Sequence, residues 1–317
     1  MTRPDPAELT EFHGMLTRSS KMRDFFALLT RVAATDSSVL IRGETGTGKE
    51  LAARAIHDLS PRAAGPFRAV NCATFSPELL ASELFGHVRG AFTGAVADRR
   101  GLFQVAHKGS LFLDEVAEIP LDIQARLLRV LQDHRFVPVG GTEPVSVDVR
   151  VISATHRALR RDVEEGRFRA DLMYRLRVVP IFLPPLVERD GDVEALAWHF
   201  VDEFNRRPGG RRIQSISAQA MDAMLAWRWP GNIRELRNVI EHAWAVGEGP
   251  VLELAHLTPE LRGEEPSDER TPPSVHSDER ERLLEALRRS RGRKAEAAEL
   301  LGMSRSTLWR KVREHGL

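Results

Sequence analysis

The sequence predicts an α/β domain with a parallel sheet, followed by a helical subdomain and a small all-α domain. Three observations support this. Short apolar runs such as SVLIRG, SLFLDE and VRVISAT alternate with helical patterns such as LDIQARLLRVLQ, which is typical of a parallel sheet flanked by helices. After Pro184 the remaining patterns are amphipathic helices. Beyond a stretch rich in Pro, Glu, Ser and Asp, the chain ends in a basic helical segment.

Composition limits the class of protein. The 317 residues exceed what one compact domain needs, and a net charge of +1 selects no partner for the whole chain. No apolar run approaches the roughly 18 residues of a membrane span, and the start MTRPDPAELT lacks the apolar core of a secretory signal. We therefore expect a cytoplasmic protein without membrane contact. Cys72 is the single cysteine, so no intrachain disulfide forms, and we expect it to be buried.

The first parallel strand, SVLIR, runs into a glycine-rich segment that opens the helix ELAARAIHDL. This is a P-loop in its expected context. Backbone N–H groups and the positive end of the helix would hold a triphosphate, with the Lys49 ammonium on its outer phosphates. Glu50 replaces the usual Ser or Thr that helps hold Mg²⁺. A plain glycine turn is the alternative. The predicted ATP-binding residues are Gly43, Glu44, Thr45, Gly46, Thr47, Gly48, Lys49 and Glu50.

A second strand, GSLFLDEV, ends in two acids where a Walker B segment should lie beside the P-loop. Asp114 would hold Mg²⁺, directly or through water. Glu115 would polarise a water for attack on the γ-phosphate, because hydrolysis needs a positioned base. A cap at the start of the next helix is the alternative, since acids also favour that position.

Five segments together resemble a known family, the AAA+ activators of sigma-54 RNA polymerase, also called bacterial enhancer-binding proteins. They are GETGTGKE with its final Glu50, ELFGHVRGAFTGA, GSLFLDEV, FRADLMYRL and WPGNIRELRNV, and the resemblance spans almost the whole chain. It implies an AAA+ P-loop ATPase with a helical lid. It also implies a ring of identical subunits, hexameric when active, that remodels the closed promoter complex of the sigma-54 RNA polymerase holoenzyme.

The GAFTGA stretch is the family's sigma-54-contacting loop, and all six letters match here. In the family this loop moves with the nucleotide state. Flanking glycines would let it rise and fold back, while Phe92 offers apolar contact and Thr93 a hydrogen bond. A structural hairpin is the alternative. The implied sigma-54 contacts are Gly90, Ala91, Phe92, Thr93, Gly94 and Ala95.

Further roles follow from the resemblance, position by position. Asn71 matches the switch residue that binds the catalytic glutamate, with a polar strand-end cap as the alternative. Thr155 and His156 match the sensor of the γ-phosphate, with a capped strand end as the alternative. Two arginines match fingers that reach a neighbouring subunit's ATP, and a third matches the sensor in the lid; a surface ion pair is the alternative for each. These are Arg169, Arg175 and Arg234. Ala158 and Val187 depart from the family pattern.

The C-terminal RKAEAAELLGMSRSTLWRKVREHGL has the pattern of a helix-turn-helix and resembles a Fis-type DNA-binding domain. Small Ala297 and Ala298 would allow close helix packing, and Leu308 would face the core. Basic side chains would bind upstream enhancer DNA, with resting dimers on palindromic sites. A basic helix packed on its own domain is the alternative. The predicted DNA contacts are Arg305, Ser306, Thr307, Arg310 and Lys311.

The predicted domain layout has five parts. They are a short tail at 1–12, the AAA+ α/β subdomain at 13–184, the helical lid at 185–258, a flexible linker at 259–278 and the helix-turn-helix at 279–317. Because only about a dozen residues precede the motor, we expect control by a separate protein or by expression level, with a shortened chain as the alternative. Two rival functions are a DNA-binding regulator acting without sigma-54 and an AAA+ remodeller of other substrates.

Overall fold

A computed structural model describes residues 9–208 and 211–264, and from the C-terminal segment residues 283, 286–287, 290, 297–298, 301, 303 and 305–314. The chain divides into two compact units, Met1–Thr258 and Pro259–Leu317. Within the described residues, no helix is both long and apolar enough to cross a membrane.

The first unit begins with a sheet domain. Its elements are β1 (Thr10–Phe12), β2 (Met15–Thr17), α1 (Ser20–Ala33), β3 (Val39–Arg42), α2 (Lys49–Asp58), β4 (Phe67–Asn71), α3 (Pro77–Phe85), β5 (Gly86–His87), β6 (Arg99–Arg100), α4 (Leu102–Val105), β7 (Ser110–Asp114), α5 (Leu121–Asp133), β8 (Arg135–Phe136), β9 (Val145–Ser146), β10 (Arg150–Thr155), α6 (Leu159–Glu164), α7 (Ala170–Leu176) and β11 (Val179–Phe182).

The central sheet has the strand order β11-β3-β10-β7-β4, and every neighbouring pair in it is parallel. This confirms the predicted parallel α/β fold. Asn71 pairs with Asp114, and Thr155 pairs with Arg42, so the carboxyl ends of four strands meet at one edge. A parallel sheet places its ligand outside that edge.

Helices cover both faces of the sheet, which explains why its strands are nearly continuous apolar runs. One core cluster joins α1 and α2 to the sheet through residues such as Leu29 and Ile56. The other joins helices α3, α5 and α7 to the opposite face. Helix α5 shows how the sequence specifies this packing, because Ile123, Leu127 and Leu131 recur every four residues and are all buried.

A helical subdomain completes the first unit. Its elements are α8 (Asp192–Asn205), β12 (Ser215–Ile216), α9 (Ala218–Ala226), α10 (Asn232–Val246) and β13 (Val251–Leu252). The amphipathic helices predicted after Pro184 are found here as α8, α9 and α10. Trp229, only 1% exposed, anchors the turn before α10 by donating its indole N–H to the Met224 carbonyl at 2.9 Å.

The second unit contains α11 (Arg305–Glu314). Leu308 of this helix is fully buried against Leu283, Ala286, Ala297 and Ala298. The small alanines therefore pack where the sequence predicts close helix contact.

Candidate functional site

The P-loop connects β3 to α2 at the carboxyl edge of the sheet. Gly46 has a φ of 79° and Gly48 a φ of 103°, backbone conformations that favour glycine. A side chain at Gly46 has no room, since an added Cβ would lie 2.1 Å from the Gly231 carbonyl oxygen. The glycines thus permit both the turn and the close approach of the following subdomain.

Lys49, the first residue of α2, turns its ammonium back over the loop. Its side chain is 7% exposed, and Nζ donates to the carbonyls of Gly43 at 3.1 Å and Glu44 at 3.3 Å. Nζ also lies 3.4 Å from Oε1 of Glu115. A buried cation is therefore held at the point where phosphate oxygens would arrive.

Asp114 ends β7 with its carboxylate at the same edge. Its Oδ1 accepts from the Glu115 backbone N–H at 3.0 Å. Burial raises the pKa of Asp114, and the neighbouring Glu115 charge raises it further. A nearby cation would stabilise the ionised form of this carboxylate. Among the described residues, no group of three or more acidic, histidine or cysteine side chains could hold a metal by itself. Asp114 would thus supply one ligand to a Mg²⁺ ion, and phosphate and water oxygens would supply the others.

Glu115 is held by two basic side chains. His156 Nδ1 lies 2.7 Å from its Oε2, and Lys49 Nζ contacts its Oε1. Its backbone takes a φ of 51°, in the left-handed region. The carboxylate is 14% exposed and faces the P-loop.

The family resemblance implied that Asn71 binds Glu115, but in this structure Asn71 does not contact Glu115. Its Nδ2 lies 3.5 Å from Oδ2 of Asp114, and its Oδ1 accepts from the Ala73 backbone N–H at 2.9 Å. The strand register explains this, because Asn71 pairs directly opposite Asp114. His156 contacts Glu115 instead. Cys72 is buried as expected, and burial raises the pKa of its thiol.

Thr155, the last residue of β10, and His156, which follows it, are the two predicted sensor residues, and they differ in exposure. Thr155 is fully buried, and its hydroxyl accepts from the Arg157 backbone N–H at 3.0 Å. His156 is 46% exposed and points to Glu115. Ala158 caps α6 without a side-chain hydrogen bond, as its departure from the family pattern suggests. Val187 is 60% exposed, and nothing in the structure explains that substitution.

The helical subdomain docks directly on the P-loop. Asn232 is fully buried: its Oδ1 accepts from the Leu186 N–H at 2.7 Å, and its Nδ2 donates to Glu44 Oε2 at 3.0 Å and the Thr45 carbonyl at 3.1 Å. Arg189 donates to the Thr47 carbonyl at 2.9 Å. Neither residue was predicted from the sequence. The signal in WPGNIREL was an asparagine at the first position of a helix, since Asn tolerates its φ of 52°.

Two adjacent cavities flank the P-loop. The first, of about 400 Å³, is polar and includes Asn71, Asp114 and Glu115 in its wall. The second, of about 380 Å³, is mainly apolar, and its wall includes Met15, Leu196 and Phe200, none of which was predicted from the sequence. Three residues line both cavities: Gly48, Leu51 and Arg234. The polar cavity has room for a charged group, and the apolar cavity has room for a flat apolar ring.

The two predicted finger arginines lie apart from this site. Arg169 pairs with Asp171 at 2.8 Å on the surface. Arg175 donates twice to the Leu131 carbonyl, at 3.1 and 2.9 Å. Neither residue lines the cavities beside its own P-loop. Both arginines therefore lie away from the P-loop of their own chain.

The GAFTGA stretch forms a turn between β5 and β6, which pair antiparallel. Gly90 and Gly94 have φ values of 82° and 102°, and an added Cβ at either would meet open space. The Gly90 N–H donates to the Ala95 carbonyl at 2.8 Å, which closes the turn. The Phe92 ring lies edge-on to His87 with ring centroids 5.0 Å apart, and Thr93 is exposed.

Comparison with known proteins decides the family. Residues 15–182 match the family described as the Sigma-54 interaction domain. The chain belongs to the sigma-54 activators. Residues 187–274 match the AAA+ ATPase lid domain, and residues 277–315 match the bacterial regulatory protein, Fis family. Members of the sigma-54 activator family are AAA+ ATPases that activate transcription and carry a DNA-binding helix-turn-helix.

Similar proteins span nearly the whole chain. The sigma-54 activator is 46% identical to the regulatory protein AtoC of Escherichia coli K12, over 96% of this chain and 68% of that protein. It is 42% identical to NtrC of Azospirillum brasilense, over 98% and 71%. A crystal structure of NtrX from Brucella abortus in complex with ATP has a TM-score of 0.74 at 38% identity, covering 96% of this chain and 69% of that one.

The Fis-type segment of this activator presents part of its predicted DNA surface on α11. Arg310 is exposed, while Thr307 and Lys311 are half-buried. The side chains of Arg305 and Ser306 lie outside the described part of the chain, as does Gly302 of the predicted turn.

Proposed function

We propose that this activator binds ATP with Mg²⁺ between its P-loop and lid, hydrolyses it in a ring, and uses the GAFTGA loop to remodel the closed sigma-54 promoter complex. One observation carries the proposal: Lys49, Asp114 and Glu115 converge beside the P-loop at the carboxyl edge of a parallel sheet. The protein would act in the cytoplasm, where sigma-54 RNA polymerase and enhancer DNA are found.

Nucleotide binding uses both cavities. P-loop N–H groups and Lys49 would hold the phosphates in the polar cavity. The apolar cavity with Met15, Leu196 and Phe200 would take the base, because a flat ring gains from burial against such side chains. Arg234, which lines both cavities, would contact the phosphates from the lid.

Hydrolysis needs Glu115 as the base that orients water. Bound Mg²⁺, with Asp114 as one ligand, would neutralise charge on the β- and γ-phosphates. Glu115 must first exchange its contacts with Lys49 and His156 for a water, since a carboxylate held by two basic groups accepts no further proton readily. Thr155 and His156 would then face the γ-phosphate as its sensor.

Ring assembly would complete the site. Arg169 and Arg175 lie away from their own P-loop, which supports a role at a neighbour's nucleotide. A guanidinium placed there stabilises charge on the phosphoryl group in the transition state. We propose dimers at rest and hexameric rings when active, because catalysis then requires assembly. Arg305, Ser306, Thr307, Arg310 and Lys311 would hold the protein on upstream enhancer DNA.

The fold offers a short route from the nucleotide to the loop. Asn71 ends β4 beside Asp114, and the Cys72 N–H donates to the Asp114 carbonyl at 2.9 Å. Helix α3 follows and runs directly into β5, whose next residues form the loop. Leu80 and Leu84 of α3 are buried, so the helix moves as a packed unit. We propose that Asn71 exchanges Asp114 for Glu115 during the cycle and that α3 transmits the change.

The test is open-complex formation on a sigma-54 promoter with purified activator, sigma-54 holoenzyme and ATP. The proposal expects promoter melting that requires hydrolysable ATP. Normal ATPase activity without melting would instead favour a DNA-binding regulator that acts without sigma-54.

A further inference from the structure

A third cavity lies at the opposite, amino-terminal edge of the sheet. It has a volume of about 260 Å³, and its wall includes Ser38 before β3, Arg150 at the start of β10 and Val178 before β11. A water molecule needs only about 10–15 Å³ of cavity, so there is room for a larger guest. The charged groups in the wall are Asp36, Arg62, Asp148, Arg150 and Arg175, and His134 is also present.

The two carboxylates in this cavity are already neutralised. Arg62 donates to Asp36 from Nε and Nη2, both at 2.6 Å, and from Nη2 to Asp148 at 2.7 Å. Lys108 adds a contact to Asp148 at 3.3 Å. These partners hold the pKa of Asp148 below its usual range. Asp36 and Asp148 therefore form their ion pairs with Arg62 and Lys108, and not with Arg150 or Arg175.

Arg150 is the buried cation of the cavity. It is 2% exposed, and its guanidinium donates only to backbone carbonyls, those of Val32 at 2.9 Å, Ala33 at 3.0 Å and Ser37 at 3.3 Å. Within the described residues, neither Arg150 nor Arg175 has a carboxylate at ion-pair distance. Burial lowers the pKa of Arg150, and the Asp36 charge offsets this only in part.

Arg175 shares the same cavity from an exposed position. Its two hydrogen bonds to the Leu131 carbonyl leave further guanidinium donors available, since Arg carries five. One buried and one exposed guanidinium around a cavity that already neutralises its acids form a receptor for a doubly charged oxyanion.

We propose that this cavity binds a small phosphate-type anion, held between Arg150 and Arg175, and that the bound anion retains Arg175 in its own subunit. The regulatory consequence rests on the proposed role of Arg175 at a neighbour's ATP. Inorganic phosphate, a product of the reaction, and the phosphate group of a small metabolite share this chemistry. Either phosphate source, once bound, would lower ATP turnover because it keeps Arg175 away from the neighbouring subunit's ATP.

Calorimetric titration tests the site in full-length activator saturated with ADP. Inorganic phosphate and glycerol phosphate are titrated separately, with sodium chloride matching the ionic strength, so that the two arms distinguish the sources. The critical variant is Val178→Glu, which adds a carboxylate beside the cavity. Val246→Glu is the matched control, because both valines are 54% exposed and Val246 lies on α10. Lys49→Ala excludes phosphate bound at the P-loop.

Phosphate should bind the parent, and Val178→Glu should weaken that binding about tenfold or more through charge repulsion. Val246→Glu and Lys49→Ala should bind like the parent. Absence of binding to the parent overturns the proposal, as does binding that Lys49→Ala abolishes and Val178→Glu leaves unchanged. Saturating phosphate should also lower the maximal ATP turnover of the parent more than that of Val178→Glu. Binding needs no catalysis in trans, so its failure is distinct from failure of the proposed ring mechanism.

Discussion

The nucleotide site and the GAFTGA loop lie on the same domain but are built in opposite ways. At the nucleotide site, a fully buried Asn232 joins the lid to the P-loop through two side-chain hydrogen bonds and accepts a third from Leu186 within the lid. In the loop, Thr93 is exposed, neighbouring Val96 is 83% exposed, and two glycines face open space. The first arrangement fixes geometry for chemistry, whereas the second leaves freedom to move. This difference supports the proposal that ATP is hydrolysed at the first place and sigma-54 is contacted at the second.

Arg175→Ala should have the largest effect, and it tests whether the nucleotide site of one subunit is complete without a residue from its neighbour. We expect ATP turnover to fall about 10³-fold, because loss of a finger in trans removes transition-state charge stabilisation. ADP affinity of isolated subunits should be unchanged. Mixing Arg175→Ala with Lys49→Ala protein should restore part of the turnover, since some junctions then hold one intact half from each. Mixed rings that form without any recovery would contradict the trans role.

Glu115→Gln tests the chemistry within one subunit. We expect turnover to fall about 10²-fold or more while ATP still binds, because the amide cannot act as a base. Glu118→Gln is the control: Glu118 follows three residues later but pairs with Arg157 at 3.0 Å and lies outside the polar cavity. Steady-state ATPase rates and fluorescent-nucleotide binding give both readouts. Turnover of Glu115→Gln near the parent rate would remove Glu115 from this role.

Asn232→Ala tests whether the nucleotide site depends on docking of the lid on the P-loop. Loss of three hydrogen bonds should lower the free energy of unfolding by about 2–3 kcal/mol and weaken ADP binding. Asn205→Ala is the matched control, because Asn205 bridges the backbone of Ile213 within the lid and does not touch the P-loop. Urea unfolding and ADP titration should separate the two. Equal ADP affinity in both variants would argue against lid docking as the cause.

The smallest effect on stability and on ATP turnover should come from a substitution in the GAFTGA loop. Thr93→Ala removes an exposed hydroxyl, so we expect the free energy of unfolding to change by less than about 0.5 kcal/mol and the ATPase rate to match the parent. Thermal unfolding and ATPase assays check this. A large loss of stability would show that the loop is a structural hairpin, which is the alternative for this stretch.

The sequence predicted the parallel sheet, the P-loop and the two acids at the end of β7, because period, glycine spacing and strand-end carboxylates are local signals. It did not predict Asn232, Arg189 or the apolar cavity. Their roles depend on how the lid docks on the P-loop, which is a contact between residues almost 190 positions apart.

The side chain that contacts Glu115 could not be predicted from the sequence either. Asn71 ends the parallel strand β4 and His156 follows the parallel strand β10, and the sequence alone gives no distance between either side chain and Glu115. Strand register decides between them, since it places Asn71 opposite Asp114, while His156, just after the neighbouring strand β10, reaches the glutamate. Register is set by packing of the whole sheet.

The most direct test of the account measures ATPase rate and sigma-54 promoter melting on the same preparation of Thr93→Ala activator. The account predicts ATP hydrolysis like the parent and no open complex, because the motor would turn over without gripping sigma-54. Phe92→Ala should behave in the same way, and capture of sigma-54 in the presence of ADP and aluminium fluoride should be lost. Promoter melting by Thr93→Ala at the parent rate would contradict the proposed separation of chemistry from force.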